Sequence, residues 1–170
     1  MKVLVVVDMQ NDFIDGSLGT KEAQVIVPNV AQKIKEERKN GTIVIFTRDT
    51  HQENYLQTQE GKNLPVVHCI KESDGWQISS KLDVADSKIF DKSSFGSLSL
   101  ADYIATIENL EEIELVGLCT DICVISNALI LKNYFPDIKI IVDADCCAGT
   151  TPEKHKAALE VMKSCQVEVI

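Results

Sequence analysis

The segment Lys2–Val7, KVLVVV, is apolar at five consecutive positions and dominated by valine. A strand with one wet face alternates apolar and polar residues. A continuous β-branched run instead marks a strand covered on both faces. Covering both faces takes helices on both sides, so this one stretch predicts a parallel sheet inside an α/β domain. The rest of the chain keeps the same rhythm. Val27, Val30, Ala31 and Ile34 give helical spacing across residues 23–39, with Gly41 as the stop. Thr42–Thr47 follows as a second strand. After a long polar stretch come Ser87–Phe90 (strand), Leu98–Ile107 (helix), Glu112–Val116 (strand), Asp121–Asn133 (helix) and Ile138–Val142 (strand). Thr151-Pro152 opens a last helix with a capping residue and a proline at its first position, and Gln166–Ile170 reads as a sixth strand. The expectation is a three-layer α/β/α fold around a mainly parallel six-stranded sheet, Rossmann-like, with residues 1–170 as a single domain.

Composition narrows the function. Acidic residues outnumber basic ones 26 to 17, for a net charge of −9. The basic residues nearest to forming a stripe, Lys33, Lys35, Arg38 and Lys39, are interleaved with Glu36 and Glu37, so no nucleic-acid partner is expected. No apolar run approaches the roughly 18 residues of a membrane span, and no membrane partner is expected. The opening residues lack the shape of a signal peptide. A cytoplasmic location is therefore expected, with the six cysteines reduced.

In open parallel sheets, ligands bind beyond the carboxyl ends of the strands, where strand order reverses. Asp8 follows the first strand, and Asp49 and His51 the second. Asp91 and Lys92 follow the third, and Cys119 to Cys123 the fourth. An acid, a base and a thiol can thus meet at one rim. Cys123 falls in the first turn of the helix that Thr120 or Asp121 would cap. There the unpaired N–H groups and a nearby lysine are expected to lower a thiol's pKa. Cys119 lies before the cap and gains less. Taken singly, each residue has an ordinary reading: a buried small cysteine, a turn aspartate, a surface lysine.

Three stretches, VVVDMQNDFIDGSL, FDKSSFGSL and GLCTDICVISNAL, together resemble the isochorismatase-like cysteine hydrolases, among them the nicotinamidases. They occur in the family's order and span most of the chain. The resemblance implies an Asp8–Lys92–Cys123 triad, a cis peptide at Leu118–Cys119, and an oxyanion hole formed by the N–H groups of Cys119 and Cys123. It implies an amidohydrolase that converts nicotinamide to nicotinic acid and ammonia, a step of NAD salvage, through a thioester on the cysteine. A small-molecule amide is then the substrate, and a homo-oligomer the expected assembly.

A possible metal site lies in the polar stretch, which holds Asp49-Thr50-His51, Glu60 and His68-Cys69, and with them two of the three histidines. Alternate residues of an extended segment share a side, so Asp49 and His51 can face one ion. Two imidazoles and two carboxylates suit zinc, with iron or manganese as alternatives. Such residues in a polar loop are more often simply solvated. The resemblance implies a divalent metal held by Asp49, His51, Glu60 and His68. Glu60 replaces a histidine common in relatives, and Glu53 is the fallback. For the substrate it implies walls at Phe13, Leu18 and Phe95, each of which is otherwise a core-packing residue. Trp76 either adds a wall or packs the loop. His155 reads as structural, and Cys146 and Cys147 as packing. Two alternatives stand beside nicotinamidase: another hydrolase of the same family, acting on carbamoyl or ureido amides, and a non-catalytic small-molecule binding module.

Overall fold

A computed structural model describes residues 1–170. In chain order the elements are β1 (Lys2–Val7), α1 (Asn11–Ile14), α2 (Lys21–Lys39), β2 (Ile43–Asp49), α3 (Gln59–Asn63), β3 (Lys88–Lys92), α4 (Leu98–Ile104), β4 (Glu112–Leu118), α5 (Ile125–Tyr134), β5 (Lys139–Ala148), α6 (Pro152–Ser164) and β6 (Glu168–Val169). The strands form one sheet in the order β3-β2-β1-β4-β5-β6, and every neighbouring pair is parallel. The valine run of β1 lies at the centre of this sheet, as a strand covered on both faces should. Val3, Val5 and Val7 enter one core with α4, α5 and α6. Leu4 and Val6 enter the other with α1 and α2. Alternate side chains of one strand thus feed two cores, which gives the three layers. No helix is long and apolar enough to cross a membrane.

The chain runs outward from β1 to β2 to β3, then returns to the opposite side of β1 as β4. β1 and β4 stay paired to Val7 and Gly117, but the chain leaves β1 for the face of α1 and α2 and leaves β4 for the face of α5, which opens the crevice where such folds bind ligands. Gly117 makes this junction close. Its φ is +116°, and an added Cβ would sit 2.1 Å from the carbonyl oxygen of Val7 on the neighbouring strand. Only glycine fits that backbone approach.

Several expected boundaries moved. The third strand runs two residues further and ends on Lys92, because Asp91 and Lys92 pair in register with Arg48 and Asp49. The fifth strand extends to Ala148 through a register shift against β4, so Cys146 and Cys147 lie within it. Both are buried, one in each core, as the packing reading expected. The helix expected from Asp121 instead begins as a π-helical turn, Thr120–Val124, before α5. The sixth strand shrinks to two residues after Gln166, whose φ is +64°.

Candidate active site

Asp8, Lys92 and Cys123 converge at the crevice between β1 and β4. Asp8 leaves β1 with a left-handed φ of +46°, and its N–H is held by the carbonyl and the hydroxyl of Thr47, each at 3.3 Å. The Thr47 hydroxyl donates to Asp8 Oδ1 at 2.6 Å. Lys92 Nζ reaches from the end of β3 to Asp8 Oδ2 at 2.6 Å and to Cys123 Sγ at 3.4 Å. It also donates to the Ser94 carbonyl at 3.1 Å. The three side chains are essentially sealed, with Asp8 fully buried and Lys92 and Cys123 each 5% exposed. In so dry a setting the Asp8–Lys92 pair is only weakly screened.

The Leu118–Cys119 peptide is cis, as the resemblance implied. The Cys119 N–H donates to no protein group, so it remains free for a ligand. The expected cap is not formed. The hydroxyl of Thr120 instead contacts His155 Nδ1 at 2.7 Å. The Asp121 carboxylate accepts from the backbone N–H and the hydroxyl of Thr150, at 2.8 and 2.6 Å. These two clasps fix the cysteine turn to the corner between β5 and α6, which gives the half-buried His155 its structural role.

The thiol also departs from expectation. Burial first, then the Asp8 carboxylate, pushes Cys123 well above the usual thiol range, and the Lys92 charge only partly offsets them. Desolvation outweighs whatever the helix end and the lysine supply. Burial thus favours the protonated thiol at Cys123, beside the Asp8 carboxyl. Burial likewise raises the Asp8 carboxyl, with Lys92 and Thr47 pulling it back. A raised carboxyl is a stronger base than a free one.

Next to this trio, Asp49, His51, Glu60 and His68 bring one ligand atom each to within 4.8 Å of one another. His51 Nε2 lies 3.0 Å from Asp49 Oδ2 and 3.5 Å from Glu60 Oε1. His68 Nε2 lies 3.7 and 3.8 Å from the same two atoms. Zinc bonds of about 2.0–2.2 Å at tetrahedral angles would separate neighbouring ligand atoms by about 3.3–3.6 Å. The residues fit a divalent ion on two further grounds. His51 Nε2 is buried and, although 3.0 Å from Asp49 Oδ2, makes no well-directed hydrogen bond, a polar atom that an ion would satisfy. His68 Nδ1 sits 2.7 Å from the Val66 carbonyl, which makes Nδ1 the donor and leaves the Nε2 lone pair facing the group. Burial alone would raise the Asp49 carboxyl, but His51, His68 and Lys92 hold it well below the usual carboxylate range. Glu60, from α3, faces this group as expected. Glu53 instead borders a separate surface concavity of about 430 Å³.

Of the expected substrate walls, Phe13 is buried, with its ring 5.5 Å from that of His68. Leu18 is half-buried against the same core. Phe95 is 47% exposed and enters neither core. Trp76 packs the loop: its ring stacks under the Arg48 guanidinium and its indole N–H donates to Thr50. Tyr55, which the sequence did not single out, sits with its ring 4.6 and 4.9 Å from those of His51 and His68.

Three buried polar side chains that hold the site together also escaped the sequence reading. The Gln10 amide bonds the Asp49 carbonyl and N–H together with the Trp76 carbonyl. The Asn127 amide bonds the Cys123 and Phe95 carbonyls and the Ser97 N–H. Thr47 holds Asp8. Gln10 and Asn127 lie inside the quoted motifs, and that position was the one signal that could have found them. Thr47 carried none.

Among solved structures, this chain is similar to the pyrazinamidase of Pyrococcus horikoshii in complex with zinc, at 27% identity and a TM-score of 0.88, covering 99% of this chain and 98% of that one. It is also similar to the pyrazinamidase/nicotinamidase of Streptococcus mutans, at 26% identity and a TM-score of 0.84, covering both chains fully. A curated relative from Arabidopsis thaliana, described as a probable inactive nicotinamidase, is 29% identical over 97% of this chain and 89% of its own. The Isochorismatase domain model matches residues 2–170, and the chain belongs to the isochorismatase family of hydrolases.

Proposed function

We propose that this chain is a cysteine amidohydrolase that converts nicotinamide to nicotinic acid and ammonia. The observation that carries the proposal is one buried ammonium, Lys92 Nζ, placed 2.6 Å from a carboxylate and 3.4 Å from a thiol beside a metal-type cluster. Asp8 takes the thiol proton of Cys123 as sulfur attacks the amide carbonyl. Lys92 stabilises the sulfur anion as it forms. The developing oxyanion is met by the N–H groups of Cys119 and Cys123. The protonated Asp8 passes its proton to the departing nitrogen, which leaves as ammonia. Asp8 then takes a proton from water, whose hydroxide adds to the thioester. The carboxylic acid is released and the thiol regenerated. Asp49, His51, Glu60 and His68 would hold a divalent ion, zinc in the first instance; when bound, it supplies a Lewis acid that can orient a ring nitrogen or a water. Phe13 offers a flat apolar wall beside His68, suited to an aromatic ring.

The test is ammonia release from a panel of amides by metal-loaded protein. Nicotinamide is expected to be turned over at least about 100-fold faster than carbamoyl or ureido amides. A carbamoyl or ureido preference moves the chain to another branch of the family. No ammonia from any amide points to a binding module.

A further inference from the structure

The two oxygens of Asp49 face different charges. Oδ2 looks toward His51 and His68, at 3.0 and 3.7 Å. Oδ1 lies 3.3 Å from Lys92 Nζ. Lys92 is therefore over-subscribed. An ammonium has three donors, but Asp8 Oδ2, the Ser94 carbonyl, Asp49 Oδ1 and Cys123 Sγ lie 2.6, 3.1, 3.3 and 3.4 Å away. At any instant one of the four goes without. Asp49, Lys92 and Cys123 are all at most 5% exposed, so neither solvent nor salt screens the competition.

We propose that Lys92 is a counter-ion shared between the metal-binding group and the nucleophile, with Asp49 as the link. A divalent ion on Asp49 draws the carboxylate's charge away from Lys92 and frees an N–H donor for the Cys123 sulfur. By reciprocity, the ammonium beside Asp49 weakens the hold of the four ligands on the ion. Metal loading and sulfur reactivity then rise together. This inference rests on the proposed metal site, but it makes Asp49 a positioning residue for Lys92 as well as a ligand.

The test is metal affinity, measured by chelator competition with zinc alone for the wild type, Lys92→Met and Lys92→Arg. The expected result is tighter binding by about tenfold in Lys92→Met, within the usual range of site–site coupling, and affinity within about threefold of the wild type in Lys92→Arg, which keeps the charge. Zinc bound with equal or weaker affinity by Lys92→Met overturns the linkage and leaves the metal site standing. No zinc bound by the wild type overturns both. Should Lys92→Met fail to fold, the wild type decides through the reciprocal effect. Alkylation of Cys123 by iodoacetamide, read on its peptide by mass spectrometry, is expected to run several-fold faster with zinc than without. A rate unchanged or slowed by zinc overturns the proposal.

Discussion

Thr47→Val removes the hydroxyl that holds the carboxylate of the proposed base. The swap preserves shape and removes the hydroxyl that donates to Asp8 Oδ1 at 2.6 Å; the Asp8 N–H, which that hydroxyl also accepts at 3.3 Å, keeps the Thr47 carbonyl. Thr47 is fully buried, so no water readily replaces that donor. A hydrogen bond to a charged acceptor is worth about 1.5–3 kcal/mol. The bond favours the ionised carboxylate, so its loss raises the carboxyl pKa further. The base must be ionised to take the thiol proton. Activity is therefore lost as pH falls through the Asp8 titration, and in the variant that loss begins at higher pH. The limb belongs to the coupled Asp8–Lys92–Cys123 set rather than to one group, but the direction of its shift is fixed by the lost donor. The assay is kcat/KM for ammonia release against pH, for wild type and Thr47→Val. An acidic limb that stays in place, or moves to lower pH, rules out Asp8 as the base held by Thr47 even if the variant is slow.

Other outcomes follow from the same geometry. Gly117→Ala forces a Cβ to within 2.1 Å of the Val7 carbonyl at a φ of +116°; a loss of about 3 kcal/mol or more is expected in denaturant unfolding, and a stability change under about 1 kcal/mol contradicts it. Burial alone would raise the Glu37 carboxyl, but hydrogen bonds from Thr42 and Lys2 hold it below its ordinary value. A lowered carboxyl stabilises the fold above its unfolded pKa and loses that contribution as pH falls through the folded one. Glu37→Gln is thus expected to be less stable than wild type near pH 7 and to converge with it in acid below about pH 4; a gap that widens on acidification contradicts this assignment.

The fold was legible because burial writes itself into composition. KVLVVV, short and rich in valine, read as a strand covered on both faces, and the alternation that followed ordered the remaining elements. The site was legible because its members sit where strands end, a position that periodicity locates without any knowledge of side-chain packing. What escaped is tertiary by nature. Thr120 and Asp121 read as helix caps, yet His155 and Thr150, about 30 residues onward, compete for their oxygens and win. The expected acidity of Cys123 failed for a related reason. A helix end and a lysine are local signals, whereas full desolvation and the nearness of Asp8 are products of the completed fold. Thr47 lies mid-strand in β2, and nothing in IVIFTRD announces a hydroxyl aimed at Asp8.

The proposed reaction passes through a covalent bond to the Cys123 sulfur, which intact-protein mass spectrometry of acid-quenched enzyme mixed with nicotinamide would detect. The expected result is an adduct of one nicotinoyl group in place of one hydrogen, mapped to the peptide that contains Cys123, and neither adduct nor ammonia from a folded Cys123→Ala variant. Turnover retained by that variant, or an adduct on any other residue, would contradict it.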